Sequence, residues 1–437
     1  MRAIHRRSVV IAVGLAGILA VVGLADVSRT LPFRDGDWPQ WQGPNRDSKS
    51  TETGLLDKWP EDGPPLLWTA KNLGSGFSSV TIQDGRIFTT GDREKEQYVI
   101  CLKGDGSDEL WSTPIGPAWS HDPNGNPGAR NTPSPDGKYV YAVGTEGDLV
   151  CLESATGKVH WKLNYQKDFD GVEPVWGFGE SPLVDGDHLI CTPNGKDATV
   201  VALNKLTGEP IWKCAVPEFG KKGKDKAGGY SSIVISEGAG VKQYVQLIGR
   251  GLVGIAAADG RFLWGYDKMA NSVANISTPL VKDDYVFGST AYGGGSALVK
   301  LSKDGDSVKA EEVYFLEPKD YSNHHGGTVL VGDYLYGGNG QNKGGPTCIE
   351  FLTGKVKWKE SHGAGSGSAA VIFADGKLYF RYQDGTMALI EANPEEYKLV
   401  STFKIPDVKR PSWSHPVIAG GKLYLREQDH LLCYKLR

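Results

Sequence analysis

The chain has 437 residues and a formal net charge of −4, from 48 Lys and Arg against 52 Asp and Glu. Apart from the lysines at 221–226 it carries no long basic tract, which excludes nucleic acid as a partner. No Cys-x-x-Cys-His occurs among its six cysteines, which excludes an attached c-type haem.

At the N-terminus, Arg2, His5, Arg6 and Arg7 precede an uncharged apolar run from Val9 to Leu24. Gly23-Leu24-Ala25 before Asp26 is a small-residue cleavage site, so residues 1–33 read as an export signal. The run is about sixteen residues, short of the roughly 20 that span a bilayer, so it is either a cleaved signal or an N-terminal anchor. No cysteine follows it to take a lipid. Periplasmic, cell-envelope or secreted placement is expected, with no other integral membrane domain. Residues 34–65 are a Trp/Pro/Gly-rich lead that includes Asp37-Trp38-Pro39-Gln40-Trp41-Gln42-Gly43-Pro44-Asn45-Arg46. It reads as a strap packed over one face or flank of the downstream domain; the alternative is a ligand platform built from exposed Trp38 and Trp41.

From residue 66 onward a motif returns about every 43 to 52 residues and ends in an aromatic. Clean copies are Thr156-Gly157-Lys158-Val159-His160-Trp161, Thr207-Gly208-Glu209-Pro210-Ile211-Trp212 and Thr353-Gly354-Lys355-Val356-Lys357-Trp358. Looser ones end at Trp111 and Trp264, and Phe315 and Phe403 fall where two more are due. Upstream of each lies a turn and an apolar strand, as in Asp136-Gly137-Lys138-Tyr139-Val140-Tyr141 and Asp375-Gly376-Lys377-Leu378-Tyr379. Asp-Gly supplies the positive backbone dihedrals of a tight hairpin, and β-branched and aromatic residues suit the strand after it. Each unit thus has four antiparallel strands, which is a propeller blade. Seven units lie at about 78–111, 131–164, 180–214, 230–267, 277–317, 326–361 and 368–405. The stretch 413–437 has three strands, and Leu66-Leu67-Trp68-Thr69 can supply the fourth, closing an all-β, eight-bladed propeller over 66–437 and removing two exposed sheet edges.

Cys101, Cys151, Cys348 and Cys433 share one slot of the third strand, filled by Ala202 and Ala388 elsewhere. A small buried side chain is wanted there, so the cysteines are expected to be unpaired. The tryptophans at strand ends are expected to pack between blades.

The loops that enter each innermost strand open on one face, and their polar and aromatic residues form a ring at the channel mouth. It comprises His121, Arg130, Asn131, Trp176, Glu180, Tyr230, Asn271, Asn275, His324, His325, His362, Trp413 and His415. Five of the nine histidines fall in this ring, which marks it as a candidate ligand site. The competing reading is that these residues hydrogen-bond backbone around a water-filled channel. Glu180 with Asn275 or Asn131 offers oxygen ligands to a calcium-sized ion. Read as adjacent strand residues, His324 and His325 point to opposite faces, which speaks against a shared zinc ion. No Ser-His-Asp spacing or phosphate loop stands out.

The segments Ala202-Leu203-Asn204-Lys205-Leu206-Thr207-Gly208-Glu209-Pro210-Ile211-Trp212 and Cys151-Leu152-Glu153-Ser154-Ala155-Thr156-Gly157-Lys158-Val159-His160-Trp161 resemble the tryptophan-docking motif of the PQQ-repeat propellers. The resemblance covers roughly 66–437. That superfamily includes quinoprotein alcohol dehydrogenases and the outer-membrane assembly lipoprotein BamB. The lead at 38–46 is similar to that of secreted propellers described as polyvinyl-alcohol dehydrogenase-like. A quinoprotein resemblance implies a PQQ- and calcium-dependent dehydrogenase of an alcohol or sugar. Trp176 or Trp413 would stack on the quinone, Glu180 and an Asn would ligate calcium, and Arg130 would meet the quinone oxygens or carboxylates. The chain departs from that pattern: it has no Cys-Cys pair, and Asp122 and Asp170 are the nearest candidates for the catalytic aspartate. The assembly-lipoprotein pattern needs a lipidated cysteine that is absent here. The leading expectation is a monomeric exported propeller that binds a protein, glycan or small-molecule ligand at the ring, with the dehydrogenase as the alternative.

Overall fold

The computed structural model describes residues 34, 36–220 and 229–437. The apolar N-terminal segment and the lysines at 221–226 lie outside the described residues.

Eight four-stranded antiparallel sheets follow one another along the chain. Blade I is built of Thr81–Gln83, Arg86–Arg93, Glu96–Lys103 and Glu109–Pro117, and blades II to VII repeat the pattern through Leu399–Lys404. Blade VIII takes Val417–Ala419, Lys422–Glu427 and His430–Lys435 from the end of the chain, and its outer strand is Leu66–Ala70, paired antiparallel to His430–Lys435. This is the closed eight-bladed propeller expected from the repeat.

The register explains the repeating motif. Trp111, Trp161, Trp358 and Trp68 stand directly opposite Cys101, Cys151, Cys348 and Cys433, while Trp212 faces Ala202 and Trp264 faces Gly254. Opposed residues on antiparallel strands project to the same side, so a broad indole demands a small partner. All six cysteines are buried and free. Four indoles then donate to the next blade, Trp111 Nε1 to the Ser154 carbonyl at 3.0 Å, Trp161 to Lys205 at 3.0 Å, Trp212 to Ala257 and Trp358 to Asn393, whereas Trp264 donates to Gln243 of its own blade. The rings lie on the glycine of the neighbouring Thr-Gly turn, where a Cβ on Gly157 would fall 2.5 Å from Trp111 and one on Gly208 3.1 Å from Trp161. In blade V the docking position is Tyr314, opposite Leu298 and donating to the Phe351 carbonyl at 2.8 Å, rather than Phe315. In blade VII it is Thr402, opposite Ala388, and Phe403 is one residue further along. A one-residue bulge lies at or beside the docking position in these blades as it does in the tryptophan blades, so what differs is the residue in the slot, with a phenylalanine standing one place beyond it.

Residues 36–65 do not merely cover a flank. Trp38 pairs with Ile82 at the end of the innermost strand of blade I, and Ser48 and Ser50 bond to Phe373 near the end of that of blade VII. Between these anchors the strap enters the channel from the face of the Asp-Gly turns. Arg46 donates to the carbonyls of Ser181 and Pro182 in blade III and Ile233 in blade IV, while its Nε meets Gln40. Further on, Trp59 packs at 5.1 Å against Phe403. The strap therefore closes the channel from below.

Candidate functional site

Above the plug lies a cavity of about 530 Å³ on the face of the loops that enter the innermost strands. Its floor is Trp41 and Gln42 of the strap. The Trp41 indole donates to Thr278 Oγ1 at 3.0 Å and its ring lies 4.5 Å from that of His415.

Seven of the thirteen expected ring residues meet in this cavity: Arg130, Trp176, Tyr230, His324, His325, Trp413 and His415. They come from blades far apart in sequence because each entering loop delivers its residues to the same axis. Ring contacts run in an arc, with Phe77 on Trp413 at 4.9 Å, Trp413 on His325 at 5.1 Å, His325 on His324 at 4.5 Å and His324 on Tyr292 at 5.2 Å. His324 and His325 do not diverge as strand neighbours would. They sit in a loop ahead of the strand Thr328–Val331, where alternation of faces does not apply.

Many polar groups of the cavity are engaged, and as a set they are close to neutral. His324 Nδ1 meets Ser368 Oγ at 2.7 Å and its Nε2 meets the Tyr292 hydroxyl at 2.8 Å. His415 Nε2 lies 3.0 Å from the His325 carbonyl. A carbonyl only accepts, so His415 carries its proton on Nε2. Burial depresses His324 and His415 to about 4, and holds His325 well below its usual value with help from its two neighbours and Arg130. All three are neutral imidazoles at pH 7. Arg130 donates to Asp122, whose other oxygen accepts from the backbone N–H groups of Asn124 and Asn126 at 2.9 Å each. The guanidinium also lies 5.5 Å over the Phe77 ring.

The other six expected residues lie elsewhere. His121 is exposed on the Trp119 ring, 3.8 Å from Glu173, and His362 is exposed in its loop. Asn131 is buried and donates to the Phe178 carbonyl. Asn271 and Asn275 brace their own loop, with Asn275 Oδ1 accepting from Asn271 N at 3.1 Å. Glu180 accepts from Tyr165 Oη at 2.7 Å and Thr192 N at 2.6 Å beneath the cavity, and burial raises its pKa. Glu180, Asn131 and Asn275 do not line the cavity; Glu180 Oε1 and Asn275 Oδ1 accept hydrogen bonds, while Glu180 Oε2 and Asn131 Oδ1 are buried without a protein partner. Asp170 is exposed, in left-handed conformation after the short helix Tyr165–Phe169.

Reading the entering loops alone missed Tyr292, Gln341, Asn342 and Gln383, which also line the cavity. All four lie between the second and third strands of their blades. Chain reversal at the Asp-Gly turn returns the second strand to the mouth, so these loops open on the same face, and the repeat itself held that signal.

A PQQ cofactor does not fit this lining. The ionic residues of the cavity wall are Asp122 and Arg130, already paired with each other, so a polycarboxylate quinone finds no free cation. The oxygens expected to hold its calcium lie outside the cavity, and the described residues contain no cluster of three or more His, Cys, Asp or Glu able to hold a metal.

Blades docked indole-to-glycine around a plugged channel define a PQQ-repeat propeller. Residues 95–360, more than half of the chain, match the family model described as outer membrane protein assembly factor BamB, and the chain belongs to that family. Among solved structures, BamB from Moraxella catarrhalis is 12% identical with a TM-score of 0.57, the match covering 85% of this chain and 97% of that one. A quinohemoprotein alcohol dehydrogenase from Comamonas testosteroni is 12% identical with a TM-score of 0.60, covering 92% of this chain and 80% of that one. A europium-containing methanol dehydrogenase is 12% identical with a TM-score of 0.62, covering 89% of each. At such identities the likeness shows the fold alone. No curated protein matches the chain significantly.

Proposed function

We propose that this chain is an exported, monomeric binding scaffold of the cell envelope that holds its ligand in the cavity at the channel mouth. The observation that carries this reading is the cavity itself: a volume of about 530 Å³, floored by the strap and walled by aromatic and polar side chains with one ion pair, Arg130–Asp122. That size is within the range of roughly 300–1,000 Å³ usual for small-molecule sites. Membership of a family described as an outer membrane protein assembly factor supports the envelope placement, as does the apolar run from Val9 to Leu24.

Val273 is an exposed rim residue, so Val273→Trp narrows the mouth without entering the core. After incubation with the low-mass fraction of an envelope extract, native mass spectrometry should show a ligand retained by the wild-type protein and lost from V273W. Equal retention by both proteins, or none by either, overturns the proposal.

A further inference from the structure

We propose that the cavity recognises a neutral, polyhydroxylated ring, a sugar unit of an uncharged glycan. This deepens the binding reading above and rests on it. Three features of the lining combine to select that chemistry.

The first is its flat aromatic surface, spread around the mouth. Trp176 comes from the loop entering blade III, Tyr292 from a loop of blade V and Trp413 from the loop entering blade VIII, so aromatic groups stand on three sides of the axis. An aromatic face is electronegative. The C–H groups of a pyranose are polarised positive by the oxygens beside them, so a sugar ring lies flat on such a face while its hydroxyls point outward. Trp413 is held for this: its Nε1 donates to Gln383 Oε1 at 2.9 Å, and Phe77 and His325 pack on it. Tyr292 is held by His324 at a positive φ of 54°, a conformation bulky residues rarely adopt.

The second is a wall of groups that both donate and accept. Gln42, Asn126, Gln341 and Asn342 carry carboxamides, and the histidines are neutral imidazoles. Each carboxamide offers a donor and an acceptor, the same pairing that a hydroxyl presents, while both ring nitrogens of His324 are already engaged. His415 Nδ1, unprotonated in the tautomer that its Nε2 bond fixes, is a buried atom with no hydrogen-bond partner.

The third is the charge. Arg130 and Asp122 neutralise each other, and the remaining wall residues carry no formal charge. A phosphate, polycarboxylate or ammonium ligand would have to leave water without a free counter-charge, whereas a polyol carries none.

The test is isothermal titration calorimetry of the full mature chain with cellotetraose, maltotetraose and chitotetraose, beside tetragalacturonate and PQQ as anionic counterparts. At least one neutral tetrasaccharide should bind with an affinity unchanged between low and high salt, as screening does not act on an uncharged ligand. Trp176→Ala, at a half-buried loop position, should weaken that binding about tenfold or more, equivalent to about 1.4 kcal/mol. V273W should abolish it. Binding of an anionic compound alone, sensitive to V273W and to salt, overturns the sugar assignment and leaves the binding scaffold standing. Silence across both sets also overturns the sugar assignment, and the mass-spectrometric retention experiment decides the scaffold separately.

Discussion

Arg46 shows how one side chain joins the strap to the ring. Its guanidinium is fully enclosed and donates to three carbonyls of two blades, and burial lowers its pKa to about 9, so it stays charged at neutral pH. Removing it by Arg46→Met takes the donor from the Ser181 and Ile233 carbonyls, whereas Pro182 keeps the Ser134 hydroxyl, and each unsatisfied buried group costs about 1–3 kcal/mol. A loss of at least about 2 kcal/mol is expected in urea unfolding. Arg46→Lys should recover less than half of it, since an ammonium is a point donor and lacks the planar fork that reaches several acceptors at once. The role of this residue was not legible in sequence. Arg46 stands in the quoted lead, but its acceptors lie 135 to 187 positions further on, and only the closed ring brings them together.

Blade docking can be tested at the level of the element. Gly157 and Gly137 both have left-handed backbone, with φ of 71° and 61°, but a Cβ at Gly157 strikes the Trp111 ring whereas one at Gly137 meets nothing. Gly137→Ala therefore incurs only the conformational penalty of about 1–2 kcal/mol. Gly157→Ala adds displacement of the indole and loss of the Trp111 bond to Ser154, and should cost at least about 1 kcal/mol more. Thermal unfolding of the two variants side by side measures the docking contribution as their difference. The blades were legible because each repeats a local grammar of Asp-Gly turn, apolar strand and Thr-Gly turn. The site was legible in part, because topology alone sends the entering loops to one face. Whether a loop residue turns inward, as His325 does, or braces its own loop, as Asn275 does, depends on local hydrogen bonding that no repeat encodes. The Phe315 and Phe403 assignments failed because an aromatic stands one residue beyond the slot, which Tyr314 fills in one blade and Thr402 in the other.

Over the whole molecule, the cavity histidines make stability depend on pH. His324 and His415 titrate near 4 when folded, against about 6.5 when unfolded, so between those values the unfolded chain binds protons that the folded one refuses. Stability is therefore lost as pH falls from 6.5 to 4. His325 acts in the same direction. Asp92 opposes them: burial raises it to about 6 from 3.8, so the folded state holds its proton over part of that window. Glu180 and Glu146, also raised by burial, act with Asp92, so the histidine contribution is isolated by mutation: between pH 7 and pH 4.5 the urea midpoint of His324→Gln with His415→Gln should fall less than that of the wild-type protein.

Closure by strand Leu66–Ala70 against His430–Lys435 also sets an order in time. A ring whose last joint lies between near-opposite ends of the chain cannot shut until residue 435 has been synthesised, and such distant pairings form slowly. The strap is made before any blade, yet its anchors on Ile82, Ser181, Ile233 and Phe373 are spread through the ring, so it seats only as the ring assembles. For the exported chain proposed above, the cavity would have no floor until the polypeptide had fully emerged, and capture of the proposed ligand would be confined by folding kinetics to the compartment of release.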